Sequence, residues 1–305
     1  MRTVTTTAQL RDALATARSA GASVALVATM GALHDGHLRL FTEAKRRCNF
    51  VVATIFVNPT QFRPGEDLEH YPRDLTADRA LAAGAGVDLL YAPSVEDIYP
   101  VGFATTVAVS GLTEVLCGAT SARGAAHFDG VTTVVAKLLN RIDPEVALFG
   151  QKDAQQALVI AQMARDLDFR AEIAVIETVR ESDGLALSSR NAYLAAPDRA
   201  RAAALHQALR AVAEAIADGE DDPKRALAAA DPILDAAAIE PEYLELRDAE
   251  RLDSISSPAD WPCDRGRVLI AIAAQLGNAR LIDNLLITPR LNATKGAPPR
   301  CSATC

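Results

Sequence analysis

Ser23–Phe56 reads SVALVATMGALHDGHLRLFTEAKRRCNFVVATIF. An apolar run, Ser23–Ala28, ends at a glycine-containing turn. Leu38–Cys48 then carries apolar residues every three or four positions, and a second β-branched run, Phe50–Phe56, follows. Strand, helix, strand in this order predicts two parallel strands joined by a crossover helix. The pattern continues outward: Val87–Ala92 (VDLLYA) and Val146–Phe149 (VALF) read as strands, and Asp74–Ala83, Val131–Arg141 and Gln155–Leu167 as helices. The expected fold class is α/β, a parallel sheet wrapped by helices. Ligands of such sheets sit beyond the carboxyl ends of the strands, so chemistry is to be sought in the turns that leave them.

The pattern changes near residue 179. An alanine-rich helical stretch, Pro197–Gly219, precedes a second helix near Pro223–Ala238 and three strand-like segments, Tyr243–Arg247, Arg267–Ala273 and Arg280–Ile287. Gln275–Asn278 (QLGN) is a hairpin signal between the last two. A small α+β domain with a short antiparallel sheet is expected here. Thr288–Cys305, with three prolines and no periodicity, reads as a tail. The expected division is therefore 1–178, 179–290 and a disordered tail over 291–305.

Composition narrows the class. The chain has 305 residues, 50% hydrophobic and 23% charged, which is the profile of a folded globular protein with two domains' worth of chain. No apolar run reaches the roughly 20 residues that cross a bilayer, and the N-terminus lacks a signal-peptide stretch. Thirty-one basic against 39 acidic side chains give a net charge of −8, which disfavours a nucleic-acid-coating surface. The five cysteines are scattered without CxxC spacing, so neither a disulfide scaffold nor a zinc site is expected. These features point to a cytoplasmic enzyme or binding protein that engages neither membrane nor nucleic acid.

Four turns carry candidate chemistry. Thr29–His37 (TMGALHDGH) places His34 and His37 around Gly36 at a strand-to-helix turn, where backbone N–H groups make an anion site. Val57–Phe62 (VNPTQF) offers Asn58 and Gln61, neutral amides suited to hydroxyl and carboxylate groups. Gly150–Asp153 (GQKD) puts Lys152 at a strand's carboxyl end, with Asp153 as a candidate N-cap and Gln155 and Gln156 on the next helix. Asp183–Asn191 (DGLALSSRN) joins Ser188 and Ser189 to Arg190, a set that could grip a polyphosphate. Asp78 and Asp153 are possible metal contacts, with helix capping as the ordinary alternative, and no magnesium ligand is specified.

Taken in order, TMGALHDGH, FVNPTQF, RGAAHFDGV, FGQKDAQQ and DGLALSSRN resemble the pantothenate synthetases (pantoate–β-alanine ligases) of the HxGH nucleotidyltransferase superfamily, over about residues 20–290. The resemblance implies a Rossmann-like N-terminal domain with helices on both faces of its sheet, a smaller C-terminal lid, a cytoplasmic homodimer, and formation of pantothenate, AMP and pyrophosphate from ATP, pantoate and β-alanine. It assigns Met30, Gly31, Ala32, Leu33, His34, Asp35, Gly36 and His37 to the first ATP segment, with His37 as a proton donor. Gly150, Gln151, Lys152 and Asp153, then Val179, then Leu187, Ser188, Ser189 and Arg190 would complete the ATP site. Gln61 would contact pantoate close to β-alanine, Gln156 would bind pantoate, and Arg123 and His127 would line the same cavity. Four positions depart from the family's pattern: Ala28 stands for proline, Thr60 for methionine, Gln151 for glutamate and Leu187 for methionine.

The implied chemistry needs no protein nucleophile. The pantoate carboxylate attacks the α-phosphorus of ATP and expels pyrophosphate; the β-alanine amine then displaces AMP from the acyl-adenylate. His34, His37, Lys152, Ser188, Ser189 and Arg190 are donors of the right kind for the developing phosphate charge, with Mg²⁺ carrying much of the remainder. Two alternatives stay open on the residues alone: another HxGH nucleotidyltransferase, and a non-catalytic nucleotide-binding protein.

Overall fold

Val24, Ala25, Leu26 and Val27 have no solvent exposure at all, as befits a central strand covered on both faces. In the computed structural model, which describes residues 1–63, 65–66, 68–119, 121–257, 260–261 and 266–289, they belong to a six-stranded sheet. The elements run β1 (Arg2–Val4), α1 (Thr7–Ser19), β2 (Val24–Thr29), α2 (Asp35–Arg47), β3 (Phe50–Ile55), α3 (Leu75–Gly84), β4 (Leu89–Tyr91), α4 (Val95–Ile98), α5 (Ala125–Ile142), β5 (Val146–Gly150), α6 (Ala154–Asp166) and β6 (Glu172–Ile176). Every strand pair is parallel, in the order β1-β4-β3-β2-β5-β6.

Alternation along β2 divides the core between two faces. Val24 and Leu26 pack with Leu10 and Leu14 of α1, Leu139 and Ile142 of α5, and Ile160 and Met163 of α6. Ala25 and Val27 pack with Phe41 and Ala44 of α2 and Ala82 of α3. From β2 the chain builds outward through β3 to β4. It then returns to place β5 on the other side of β2, with Ala25 opposite Val146. The direction of winding reverses between β2 and β5, so the turns leaving these two strands flank the crevice where α/β sheets bind ligands.

The second set of elements is α7 (Ala196–Ala202), α8 (Ala204–Ala217), α9 (Pro223–Ala228), α10 (Asp231–Ala236) and the strands β7 (Pro241–Asp248), β8 (Val268–Leu276) and β9 (Ala279–Ile287). The strands form an antiparallel sheet in that order. Leu276 pairs with Ala279 across a two-residue turn. Gly277 there has φ +53, and a Cβ on it would stand 2.3 Å from Asp198 Oδ2. Leu205, Leu209 and Val212 of α8 pack on Val268, Ile270 and Ile272 of β8 to form a separate core.

The chain divides into one unit of Met1–Val179 with Leu187–Ser189 and another of Arg180–Ala186 with the residues from Arg190 onward. Four elements were not anticipated: the helices α1 and α4 and the edge strands β1 and β6. The alanine-rich stretch is two helices parted at Ala203, the helix expected near Pro223–Ala238 is the short pair α9 and α10, and α5 begins at Ala125 rather than Val131. The tail expected over 291–305 lies outside the described residues. Among the described residues, no helix is long and apolar enough to cross a membrane.

Candidate active site

The turn leaving β2 is fixed by an acid from another helix. Thr29 Oγ1 donates to Thr54 O (2.7 Å) and accepts the Gly31 N–H (3.2 Å). Gly31 and Ala32 then enter the left-handed region, with φ of +86 and +50. This bend aims the Ala32 and Leu33 N–H groups at Asp78 of α3, at 3.0 Å to Oδ2 and 2.8 Å to Oδ1. A Cβ on Gly31 would lie 2.8 Å from Asp78 Oδ2, so glycine is demanded there twice over. Asp78 is 3% exposed. Both its oxygens hold the loop, which makes it an anchor rather than a metal contact. The signal for it in the sequence is an aspartate on the buried face of α3, shared with Ala82.

His34 and His37 cap α2 reciprocally. His34 Nδ1 accepts the Gly36 N–H at 3.2 Å, and His37 Nδ1 accepts the His34 N–H at 3.2 Å. A backbone N–H can only donate, so both Nδ1 atoms are unprotonated and each neutral ring carries its hydrogen on Nε2. The rings lie 4.2 Å apart between centroids. A Cβ on Gly36 would stand 2.9 Å from His34 Cε1, so this glycine makes room for the ring. Burial, and then the charge of Lys152, push His34 down to about 4. Burial, then His34 and Lys152, push His37 down to about 3. At neutral pH the pair is two uncharged Nε2–H donors.

Lys152 reaches this pair from the turn after β5. Its charge acts on both imidazoles, and its Nζ lies 3.9 Å from Asp153 Oδ1. Asp153 occupies the N-cap position of α6, but its side chain makes no capping hydrogen bond. The two glutamines that follow divide sharply. Gln155 is buried and clamps the preceding loop, accepting the Cys117 N–H (3.1 Å) and donating to Leu112 O (2.8 Å) and Val115 O (2.6 Å). Gln156 is half-buried, and its side chain makes no hydrogen bond to the described residues.

The turn after β3 joins the same end of the sheet. Pro59–Gln61 forms a short 3-10 turn capped by Asn58, and Gln61 Nε2 meets Met30 Sδ at 2.8 Å. His127 Nδ1 donates to Gln61 O at 2.6 Å from the first turn of α5. Arg123 pairs with Glu66 at 3.3 Å. Asn58, expected to touch substrate, is 1% exposed and bonded on every side by protein groups, which places it behind Gln61. Tyr99, whose hydroxyl donates to Asn58 at 2.9 Å, was not anticipated.

Of the remaining motif, Leu187 N–H donates to Val179 O (3.0 Å), and Ser189 Oγ lies 3.4 Å from Tyr71 OH. Leu187, Ser188 and Ser189 belong to the first unit and Arg190 to the second. The structure thus brings together His34 and His37 with the charge of Lys152, Gln61 with both Met30 and His127, and Val179 with Leu187. The arrangement offers neutral and cationic donors at the winding reversal of an α/β sheet and provides no side-chain nucleophile among them. It is equipped to hold an anionic group while another group attacks it.

The model of one protein family, described as pantoate-beta-alanine ligase, matches residues 2–286. A pantothenate synthetase of Moorella thermoacetica is 50% identical over 288 residues, spanning 94% of this chain and 99% of that protein. Among solved structures, a pantothenate synthetase from Thermus thermophilus superposes with a TM-score of 0.85 at 48% identity, over 93% of this chain and 99% of the other. A pantoate-beta-alanine ligase from Francisella tularensis, complexed with beta-gamma ATP and beta-alanine, superposes at 0.74 with 31% identity, over 94% and 97% of the two chains.

Proposed function

Because the chain belongs to the pantoate–β-alanine ligase family, we propose that it joins pantoate to β-alanine at the expense of ATP, through a pantoyl-adenylate, and releases AMP and pyrophosphate. The observation that carries this reading is the neutral histidine pair with Lys152 at the β2–β5 crevice. The relative from Francisella tularensis complexed with beta-gamma ATP and beta-alanine supports ATP and β-alanine as ligands of the same fold.

In the first half-reaction a pantoate carboxylate oxygen bonds to the α-phosphorus, and the bond to the pyrophosphate oxygen breaks. The protein's task is alignment and charge stabilisation. His34 and His37 present Nε2–H to phosphate oxygens, and Lys152 adds a positive charge beside them. Because each Nδ1 is committed as an acceptor, the geometry favours His37 as a hydrogen-bond donor over a donor of a full proton. Met30–His37, Gly150–Asp153, Val179 and Leu187–Arg190 are assigned to ATP, with Ser188, Ser189 and Arg190 as further phosphate donors. Gln61 and Gln156 are assigned to pantoate, with Arg123 and His127 lining the cavity.

Among the described residues no three His, Cys, Asp or Glu side chains cluster as a metal site. That composition suits a Mg²⁺ held chiefly by phosphate oxygens with one or two carboxylates, and Asp153, 46% exposed at its side chain beside Lys152, is the acid placed for it. When bound, the ion would neutralise phosphate charge. A cytoplasmic homodimer completes the proposal. Product analysis tests it: pantothenate, AMP and pyrophosphate should form in equal amounts only with ATP, pantoate and β-alanine together. ATP binding without pantoate-dependent turnover would overturn it in favour of a nucleotide-binding protein, and AMP transfer to another acceptor in favour of a different nucleotidyltransferase.

A further inference from the structure

We propose that Tyr99 and Thr60 are positioning residues that fix which end of the Gln61 amide faces the substrate, so that the site presents an N–H donor to an acceptor oxygen of pantoate. The inference deepens the reading above and rests on Gln61 contacting pantoate.

Gly130 of α5 seats the turn that carries Gln61. A Cβ there would stand 2.5 Å from Thr60 O and 2.8 Å from Gln61 N, so the Pro59–Gln61 turn lies directly on the helix. The Gly130 carbonyl can only accept, and the Asn58 side chain meets it at 3.0 Å, so the group facing it is the amide NH₂. The second hydrogen of that NH₂ faces Gln61 Oε1 at 3.2 Å. The carbonyl end of Gln61 is thereby spoken for, and its NH₂ end is turned to Met30 Sδ at 2.8 Å. A thioether is a weak acceptor, so an anionic oxygen displaces it at little cost.

The acceptor end of Asn58 is held by two hydroxyls. Tyr99 Oη and Thr60 Oγ1 each donate to Asn58 Oδ1 at 2.9 Å. The Thr60 N–H is more distant, at 3.4 Å. Asn58 is 1% exposed, so water does not substitute for either donor. The chain of bonds runs from the two hydroxyls through Asn58 to Gln61. Thr60, one of the four departures from the family's pattern, supplies one of these two hydroxyls.

Steady-state KM values for pantoate and for ATP are to be measured for Tyr99→Phe, Thr60→Val, the double variant and Thr60→Ser. Each lost hydrogen bond to a buried amide is worth about a factor of five. The singles should therefore raise the pantoate KM by about three- to fivefold and the double by about tenfold or more, with the ATP KM within twofold of wild type. Thr60→Ser, which keeps the hydroxyl, should retain the wild-type value. A wild-type pantoate KM in the double variant overturns the proposal, as does an equal rise for pantoate and ATP, which a merely structural role would give. The Gln61 side-chain amide resonance, assigned by its loss in Gln61→Glu, reads the relay without any substrate. It should shift in the double variant, and an unmoved resonance overturns the relay even if the wild type forms no pantothenate.

Discussion

Gly36→Ala should separate function from stability. Gly36 lies in the first turn of α2 and outside the left-handed region, so alanine fits the backbone and gains up to about 1 kcal/mol of helix propensity. The new methyl would land 2.9 Å from His34 Cε1 and 3.0 Å from Nδ1, the far end of a side chain that can swing. Displacing the ring forfeits the 3.2 Å bond from the Gly36 N–H, about 1 kcal/mol. The two effects oppose each other, and the net change should stay within about 1 kcal/mol, or roughly 4 °C in Tm for a unit of this size. Catalysis has no such compensation, because a donor misplaced by about 1 Å costs on the order of 10²-fold. Calorimetry and pyrophosphate release on the same preparation provide both readings. A variant with normal turnover, or one that loses activity only because it unfolds, would exclude this role for the His34 ring.

Three other outcomes are expected. The folded pKa values of His34 and His37, about 4 and about 3, lie below the ordinary 6.5, so the unfolded chain takes up protons first as the medium is acidified. Stability should fall from about pH 6.5 down to about pH 4 through His34 and to about pH 3 through His37, and the urea midpoint at pH 5 should drop less, relative to pH 7.5, in His37→Gln than in wild type; equal drops would contradict the depressed values. Asp78→Asn puts an NH₂ against one of two buried N–H groups, and should cost about 2 kcal/mol in calorimetric stability while raising the KM for ATP; an unchanged Tm would exclude the anchor. Gln155→Leu strands Leu112 O, Val115 O and the Cys117 N–H and should lose about 2–4 kcal/mol, whereas Gln156→Leu should stay within about 0.5 kcal/mol and raise the pantoate KM. Equal stabilities would erase the distinction between the two glutamines.

The central strands were legible because each is an unbroken apolar run, the consequence of burial on both faces. The edges were not. β1 is three residues long, and β6 (Glu172–Ile176) alternates exposed and buried positions with one neighbour only. α1 carried a readable mark, the Thr6–Gln9 capping box. The early start of α5 carried little, since Gly124 caps it at φ +75 without a side-chain bond. In the site, the spacing of His34, Gly36 and His37 was visible, but its cause was not: each residue serves the position of another, and that emerges only once the turn is closed. Asp78 lies 46 residues from Ala32 along the chain, and no local pattern links them. Asn58 was legible as a polar turn residue, yet its burial depends on Gly130 and Tyr99, which the fold alone brings to it.

Transfer through a pantoyl-adenylate is tested most directly by following the carboxylate oxygen. Pantoate labelled with ¹⁸O in its carboxylate is turned over with ATP and β-alanine, and the nucleotide and phosphate products are examined by mass spectrometry. Attack on the α-phosphorus predicts one ¹⁸O in each AMP and none in pyrophosphate. ADP together with ¹⁸O-labelled phosphate would mean that the terminal phosphate had been attacked instead, and AMP without label would mean that the carboxylate never bonded to the α-phosphorus. Either result would contradict the mechanism.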